Sequence, residues 1–334
     1  MKADFNQFLK ILRREQADRP VLFEMLLNDR LWRAACGSKY DVSSPLAAMC
    51  SAVRTFWYYG YDCAIVRGSG YWFNAPATEA GKESVSLNAS AAITDRQSLA
   101  AYPWMDADKC DYSALDAIAD DLPDNMKTVV MGPGGVLENV ISLAGFDNLC
   151  LLLYDDPQLV WDLFEKVGSG LVKYYERSAE HESVGALISN DDWGFNTQTM
   201  LSVGDMRKFV FPWHKKIVET IRRKGKPAIL HSCGNYSMIL NDLFALGYDA
   251  RHSYEDKIMP VEQAYDQLKG HMAVLGGIDV DFLIRSPESE IVRRCKNILE
   301  KTANCGYALG TGNSVPAYMA DEKYFALLKC AGKR

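Results

Sequence analysis

The chain lacks the features that mark membrane, secreted and nucleic-acid-binding proteins. It contains no run of about 20 apolar residues, the length that a membrane helix requires. Its first residues, Met1–Asn6, lack the apolar core of a secretory signal peptide. No Lys- or Arg-rich run is present, and 37 basic against 43 acidic residues give a net charge of −6, which argues against a nucleic-acid scaffold. We therefore expect a soluble, cytoplasmic protein.

The cysteines also lack the pattern of a disulfide framework or a structural zinc finger. There are nine of them, an odd and scattered set without a Cys-x-x-Cys pair, at positions 36, 50, 63, 110, 150, 233, 295, 305 and 330. Most are expected to be small buried apolar side chains in a reducing compartment. Only Cys233 has a sequence context that indicates chemistry.

What the sequence does contain is a repeated alternation of short apolar runs and amphipathic stretches. The runs predict eight strands: Val21–Met25, Cys63–Arg67, Thr128–Met131, Val184–Ser189, Ala228–His231, Asp249–Ser253, Met272–Leu275 and Tyr307–Leu309. Near-continuous apolar runs such as Ala228–Leu230 are typical of parallel strands that are covered on both faces. Eight alternations predict an α/β protein, a single (β/α)₈ TIM barrel over residues 1–334.

Helical periodicity is clearest over Asp205–Arg223, and Pro157–Arg177 and Pro287–Thr302 are also predicted as helices. Two regions depart from the alternation. Residues 1–19 predict a helix before the first strand. Residues 70–125, which include the Ser/Ala/Thr-rich segment Glu83–Thr94, predict an excursion after strand two that carries a hairpin.

Polar residues follow every predicted strand, at the end of a barrel where active sites are built. They are Glu24, Arg67, Glu138 with Asn139, Asp191 with Asp192, His231 with Cys233, His252 with Glu255, Asp279, and Asn313. Some of them are expected to be structural, since Asp and Asn also cap helices well.

The sharpest of these motifs is Leu230-His231-Ser232-Cys233-Gly234. In a loop after a strand, two residues separated by one can point the same way and share an ion, and imidazole with thiolate suits zinc. A catalytic zinc commonly takes three protein ligands and an open position, so the pair is incomplete. The alternative is a hydrogen-bonded histidine beside an inert buried cysteine.

Carboxylates and a glycine turn mark three further strand ends. Glu138 follows a glycine-rich loop and could act chemically or merely favour the start of a helix. Asp191 and Asp192 could bind a cation, orient a substrate or share a proton, with one of them a cap. The turn Gly310–Pro316 resembles an anion-cradling loop but matches no established phosphate motif.

In their order along the chain these motifs resemble the uroporphyrinogen decarboxylase superfamily, from about residue 20 to the end. The motifs are Gly132-Pro133, Asp191-Asp192-x-Gly194, His231-x-Cys233-Gly234, Gly276-Gly277-Ile278-Asp279 and the glycine turn after strand eight. The resemblance implies a single (β/α)₈ barrel, in agreement with the strand count.

One branch of that superfamily decarboxylates an anionic tetrapyrrole, which it holds with an arginine-rich segment near the N-terminus. Here the corresponding segment, Phe23–Arg30, carries Glu24 and one late arginine. Glu24, Glu138, Asp191 and Asp192 together would repel a substrate with many carboxylates. We therefore expect uroporphyrinogen decarboxylation to be absent or negligible.

The other branch contains cobalamin-dependent methyltransferases, in which a His-x-Cys pair and a later cysteine hold zinc. His231 and Cys233 match the first two ligands. The family's later cysteine would fall near Asn313, where this chain has no cysteine. A glutamate ligand of the related cobalamin-independent methionine synthase resembles Glu255 in its spacing, so Glu255 is the expected third ligand. His252 competes for that place, and Asn313 is expected to line the cavity without binding the metal tightly.

The resemblance implies a methyltransferase that moves a methyl group between a small methylated substrate and a corrinoid (cobalamin) protein, with zinc as Lewis acid. Glu138 or Asp192 would position the substrate or relay a proton, and the expected substrate-binding residues are Glu24, Asp191, His252 and Asn313. The aromatic residues Tyr102, Trp104 and Trp193 are candidate contacts for the corrinoid-bearing partner. The oligomeric state, a homodimer among the options, is left open.

Two other functions stay open at this point. The chain could be a decarboxylase that acts on a porphyrin or a smaller acid. It could also be a barrel that has lost catalysis and serves as a binding or assembly subunit, which the missing cysteine at Asn313 would explain.

Overall fold

The fold is built on one parallel sheet. In the computed structural model, which describes residues 2–73, 88 and 91–332, seven strands are paired in the order in which they occur along the chain. They are β1 (Cys63–Arg67), β2 (Lys127–Met131), β3 (Val184–Asn190), β4 (Ala228–His231), β5 (Ala250–His252), β6 (Ala273–Leu275) and β7 (Tyr307–Ala308). All six pairings are parallel, so every strand ends at the same edge of the sheet.

The register of the central strands brings the site residues side by side. His231 at the end of β4 pairs with Asn190 of β3 on one side and with His252 of β5 on the other. The four residues of β4 are all buried, as expected for a strand that is covered on both faces. The positions of seven of the eight predicted strands are thereby confirmed, with ends that differ by at most a residue.

The first predicted strand, Val21–Met25, is not a strand in the structure. It forms a single parallel bridge, Leu22 to Leu309, in which Phe23 donates to Leu309 and Leu309 donates to Val21. Beyond the bridge, the side chain of Glu24 takes the place of a ladder bond, because it accepts the backbone N–H of Thr311. The sheet is therefore seven-stranded, with an extended segment beside β7.

Helices cover the sheet between the strands. The α-helices span Phe5–Leu12, Asp29–Cys36, Pro45–Tyr58, Arg96–Ala101, Ser113–Ala117, Val136–Ala144, Phe146–Asp155, Pro157–Ser178, Val203–Asp205, Phe211–Arg223, Leu240–Leu246, Val261–Leu268, Val280–Arg285, Glu288–Thr302 and Asp321–Cys330. Short 3₁₀ turns span Gly37–Lys39, Ala107–Lys109, Ile118–Asp121 and Ser237–Ile239.

The predicted helices are found, with one irregularity. The helix predicted over Asp205–Arg223 begins at Val203 and contains a π-helical turn, Met206–Val210. Pro212 lies just beyond it and lacks the N–H that a regular α-helix would use, so the ladder is rearranged there. The predicted N-terminal helix is confirmed over Phe5–Leu12, which is shorter than residues 1–19.

The excursion after β1 is described only in part. Residues 91–125 form short helices and turns, and no strand is assigned within that range. Residues 74–87, 89 and 90, which hold most of the segment Glu83–Thr94, lie outside the described residues, so the predicted hairpin has no counterpart to compare.

None of the described helices is, by itself, long and apolar enough to cross a membrane. Val136–Ala144 and Phe146–Asp155 reach that length only as a pair, with a bend of 92° between them.

Candidate functional site

The ends of the strands form the chemically rich face of the molecule. Loops after β2, β3, β4, β5 and β7 bring together carboxylates, imidazoles and a thiol there. A cavity of about 560 Å³ lies at the opposite edge of the sheet, where Lys127, Val184 and Pro227 precede or begin their strands. In barrel enzymes the site lies at the carboxyl end of the strands, so we place the candidate site with the polar cluster.

Three potential metal ligands converge at this edge. Asp192, His231 and Cys233 each offer one ligand atom, and these atoms lie within 4.8 Å of one another. The Nε2 atom of His231 is 3.8 Å from Oδ1 of Asp192 and 3.7 Å from Sγ of Cys233. The backbone N–H of Cys233 donates to the Asp192 carboxylate at 2.8 Å, which ties the loops after β3 and β4 together.

The proton arrangement of His231 follows from its neighbours. His252 donates from Nε2 to the backbone carbonyl of Thr311 at 3.3 Å, because a carbonyl can only accept. The Nδ1 atom of a neutral His252 is then an acceptor, so the contact of 2.8 Å between the two Nδ1 atoms carries the proton of His231. His231 therefore keeps an unprotonated Nε2, the form that binds metals, and this atom faces Asp192 and Cys233.

Burial keeps both imidazoles neutral. It lowers the pKa of His252 to about 4 and holds the pKa of His231 well below its ordinary value, and the neighbouring His252 and Arg251 disfavour a positive charge on His231 further. Burial and the nearby Asp192 raise the pKa of the Cys233 thiol. A cation among these groups would reverse that effect on the thiol, because a coordinating thiol is deprotonated.

The position of Cys233 depends on unusual backbone around it. Gly234 has a φ of +96°, and a Cβ atom there would lie 2.2 Å from the carbonyl oxygen of Gly194. Ser253, after β5, adopts a φ of 89°, a conformation that is uncommon for a residue with a side chain. Its hydroxyl lies 3.2 Å from Sγ of Cys233, and Nδ2 of Asn313 lies 3.5 Å from the same sulfur. Strain of this kind is often found at functional sites.

A second carboxylate, Asp191, is fully buried behind the cluster. It accepts the backbone N–H groups of Leu137 and Glu138 at the start of the helix Val136–Ala144. It also accepts from Nε1 of Trp193 and Nε2 of His214. With four donors inside the protein and no exposed surface, Asp191 anchors a helix and does not face a substrate.

Glu138 lies next to this anchor and is nearly buried. Its carboxyl accepts the N–H of Gly135 at 3.1 Å. Burial raises the pKa of Glu138 well above its ordinary value, and the charges of Asp191 and Asp192 raise it further. This shift favours the protonated form of the Glu138 carboxyl.

A polar cavity of about 510 Å³ opens beside the cluster. Its wall includes Glu255, Asp279, Asn313 and Tyr318. Asn313 belongs both to this wall and to the surroundings of the Cys233 sulfur, so it joins the two. Burial raises the pKa of Glu255, and the charges of Asp279 and Asp192 contribute.

The structure thus rearranges several predicted roles. Glu255 lies in the cavity wall and is not among the three converging ligands, where Asp192 is found instead. Glu24 is 1% exposed and bonded to Thr311, and both nitrogens of His252 are engaged, so neither faces a substrate. Trp193 is 3% exposed and cannot be a docking contact, because its indole is packed inside the protein.

The other predicted strand-end residues have local partners. Arg67 is exposed and lies over the ring of Trp72. Asn139 donates to the carbonyls of Pro133 and Gly135. Asp279 caps the helix Val280–Arg285, which is the structural role expected for some of the Asp and Asn residues at the strand ends. Of the aromatic candidates, Trp104 is half-buried and donates to the carbonyl of Leu99.

Three residues of the site were missed at the level of sequence. Ser253 approaches Cys233, Thr311 fixes His252, and His214 supports Asp191. His214 lies on an amphipathic helix where a core histidine is the ordinary expectation. Thr311 lies in the glycine turn Gly310–Pro316, whose sequence already indicated a functional loop.

The donor set at the cluster fits a zinc ion. Imidazole nitrogen, thiolate sulfur and carboxylate oxygen are its three common ligand types in proteins. The second nitrogen of His231 donates to His252, which fixes the ring as outer-shell acceptors fix metal-binding histidines. Three protein ligands would leave one position for a substrate.

Comparisons with known proteins show the family and the fold of the chain. A model of the family described as "Uroporphyrinogen decarboxylase (URO-D)" matches residues 94–334, well over half of the chain. The solved structure of a methyltransferase from Methanosarcina mazei is similar over 99% of both chains, with a TM-score of 0.73 at 14% identity, which shows a shared fold.

Curated relatives carry the same family name. The uroporphyrinogen decarboxylase of Anaeromyxobacter dehalogenans is 28% identical over 51% of this chain and 47% of its own length. The chloroplastic enzyme of Zea mays is 25% identical over 54% of this chain and 44% of its own. The matched region spans about half the length of these relatives. On the extent of the family-model match, the chain belongs to the uroporphyrinogen decarboxylase family.

Proposed function

We propose that this protein is a methyltransferase that moves a methyl group between a small methylated substrate and a corrinoid carried by a partner protein. The observation that carries the proposal is the convergence of Asp192, His231 and Cys233 around one point, with the Nε2 lone pair of His231 directed into it. Such a site suits a metal that activates a heteroatom. We further propose a (β/α)₈ barrel in which the segment Val21–Met25 stands in for the eighth strand.

We propose Asp192 as the third zinc ligand, in place of Glu255. Its carboxylate oxygen already lies 3.8 Å from Nε2 of His231, a separation that a shared ion would bridge. Glu255 belongs to the wall of the adjoining cavity, where it would contact substrate. Zinc held by these three side chains would supply a Lewis acid for the heteroatom that carries the methyl group.

The remaining groups define how a substrate would be held. The cavity of about 510 Å³ beside the cluster has the size of a small-molecule site. Asn313 would orient the substrate with its amide at the junction of the cavity and the cluster. Glu138, as a buried acid, would give its proton to the heteroatom as the methyl group leaves.

Two observations weigh against porphyrin decarboxylation. Arg30, the one arginine of the segment Phe23–Arg30, is paired with Asp321 and with the carbonyls of Ala317 and Met319. It is therefore engaged where an anion clamp would need free cations. Asp192 also presents a carboxyl group at the cluster, an unfavourable setting for a substrate with many carboxylates.

The experiment supplies free cob(I)alamin as methyl acceptor and offers the zinc-loaded protein a panel of small methyl donors. The panel contains methylated amines, methyl ethers, methyl thioethers and methanol, and methylcobalamin formation is followed by absorbance. We expect one class of donor to be used and the rate to fall at least 100-fold in Cys233→Ala, because removal of a ligand empties the site. Cys150→Ala, at an exposed cysteine, is the matched control and should retain the rate.

Anaerobic incubation with uroporphyrinogen is the opposing arm. Efficient formation of coproporphyrinogen, with no methylcobalamin from any donor, would replace the proposal by a decarboxylase. If neither methylcobalamin nor coproporphyrinogen forms and the protein holds no zinc, a barrel that has lost catalysis and serves as a binding subunit would be favoured.

A further inference from the structure

The buried acid Glu24 lies at the start of a chain of hydrogen bonds that ends at the candidate metal cluster. Glu24 is 1% exposed and comes from the extended segment beside β7. The segment passes so close that a Cβ atom on Gly310 would lie 1.7 Å from the carbonyl oxygen of Phe23. This close approach lets the Glu24 side chain reach the backbone of the loop after β7.

Glu24 holds Thr311 by two bonds. One carboxyl oxygen accepts the backbone N–H of Thr311 at 2.8 Å, and the other lies 2.6 Å from the Thr311 hydroxyl. The same hydroxyl contacts the carbonyl oxygen of Asn313. The Thr311 hydroxyl donates to Glu24 and also lies against the carbonyl oxygen of Asn313, so it links the two residues. Burial raises the pKa of Glu24 to about 8, although the two bonds from Thr311 act to lower it.

Thr311 in turn connects to both sides of the cluster. Its carbonyl accepts from Nε2 of His252, which fixes His252 as an acceptor at Nδ1 and His231 as a donor at Nδ1. Its hydroxyl holds the carbonyl of Asn313, whose amide lies 3.5 Å from Sγ of Cys233. One threonine therefore sets the tautomer of the histidine ligand and the place of the amide beside the thiol.

We propose that Glu24 is a positioning residue of the metal site, which acts through Thr311 to hold His252 and Asn313 in place. The effect of Glu24 on zinc binding rests on the proposed function, because it requires the proposed metal site. The hydrogen bonds that link Glu24 to His252 and Asn313 do not depend on a metal. It replaces the predicted role of Glu24 as a substrate-binding residue. Glu24 touches neither the metal ligands nor the cavity, so its effect on binding has to pass through the chain of bonds.

The test compares Glu24→Gln with Glu24→Leu. Glutamine can accept the Thr311 N–H and donate to the Thr311 hydroxyl, whereas leucine has a similar size and can do neither. Zinc affinity is measured by competition with a chromophoric chelator. We expect Glu24→Gln to remain within about threefold of wild type and Glu24→Leu to lose about 10–100-fold, the usual cost of losing an outer-shell partner.

A zinc-free measurement separates this inference from the metal assignment. Long-range ¹H–¹⁵N correlation spectra report which ring nitrogen of each histidine carries the proton. Wild type and Glu24→Gln should show a proton on Nε2 of His252 and on Nδ1 of His231, and Glu24→Leu should show mixed tautomers. If wild type binds no zinc but keeps these tautomers, the proposed function fails and the positioning stands.

A second pair of variants covers the case in which Glu24→Leu does not fold. Thr311→Val removes the hydroxyl link and should give the same loss and the same mixed tautomers. Thr311→Ser restores the hydroxyl and should restore both. Wild-type affinity and wild-type tautomers in Glu24→Leu, or in Thr311→Val, would overturn the inference.

Discussion

Replacing Glu24 with glutamine should change how the stability of the protein depends on pH. In the folded state the pKa of Glu24 is raised to about 8 by burial, against an ordinary value of 4.5. Between these values the folded protein holds a proton that the unfolded chain has released. The free energy of unfolding of wild type therefore falls as pH rises across this window, and glutamine, which does not titrate, removes this contribution.

The size of the effect follows from the shift. Each pH unit inside the window changes the free energy of unfolding by about 1.4 kcal/mol for one proton. From pH 5 to pH 7.5, the stability of wild type relative to Glu24→Gln should fall by about 3 kcal/mol. Taking the difference between the two proteins cancels the buried histidines, whose lowered pKa values act in the opposite direction, since they favour the folded state as pH rises.

The assay is urea unfolding at several fixed pH values, followed by circular dichroism. Glu15→Gln, at an exposed position, is the matched control, and its difference from wild type should stay constant. A constant difference for Glu24→Gln as well would refute the reasoning, because Glu24 would then be ionised when folded. A difference that grows in favour of wild type at high pH would refute it more strongly.

Three further changes test separate parts of the site. Gly234→Ala should cost at least about 1–3 kcal/mol in urea unfolding, because alanine must adopt a φ of +96° against the backbone of Gly194. His214→Phe should cost about 1–3 kcal/mol, since it leaves the buried Asp191 with one donor fewer, and equal stability would contradict the role given to that pair. Glu138→Gln, which keeps the acceptor for Gly135, should fold normally and lower methyl transfer by about 10²–10⁴-fold, and an unchanged rate would remove Glu138 as acid.

The strands could be predicted because their signal is local. Apolar runs such as Ala228–Leu230 carry it in three residues, and β1 and β4 have the predicted ends. The extended segment Val21–Met25 looks the same in sequence, but its pairing is limited by the Glu24 side chain. This limit on pairing depends on which segment of the chain lies alongside, and the local sequence pattern does not contain that information.

The site could be predicted only as far as residues adjacent in sequence determine it. His231 and Cys233 come from one loop, so their spacing indicated the pair. Asp192 joins them through the register of β3 against β4 and through a bond to the N–H of Cys233. The sequence pattern could not choose between Asp192 and Glu255 without that register.

Burial explains the remaining errors in the assignment of roles. Glu24 and Asp191 both follow apolar runs and both were expected in the cavity. Each instead turns toward backbone N–H groups inside the protein. A carboxylate at a strand end can point either way, and the partner that decides lies 287 or 54 residues away in the chain.

X-ray absorption at the zinc edge tests the metal assignment most directly. The protein is stripped with a chelator, reloaded with one equivalent of zinc and compared with Cys233→Ala and Asp192→Asn. We expect wild type to show one sulfur at about 2.3 Å with nitrogen and oxygen ligands at about 2.0–2.2 Å. The sulfur should disappear in Cys233→Ala, and Asp192→Asn should bind zinc more weakly while Glu255→Gln does not. A zinc shell without sulfur in wild type, or no zinc retained at all, would contradict the assignment of Asp192, His231 and Cys233 as the metal site.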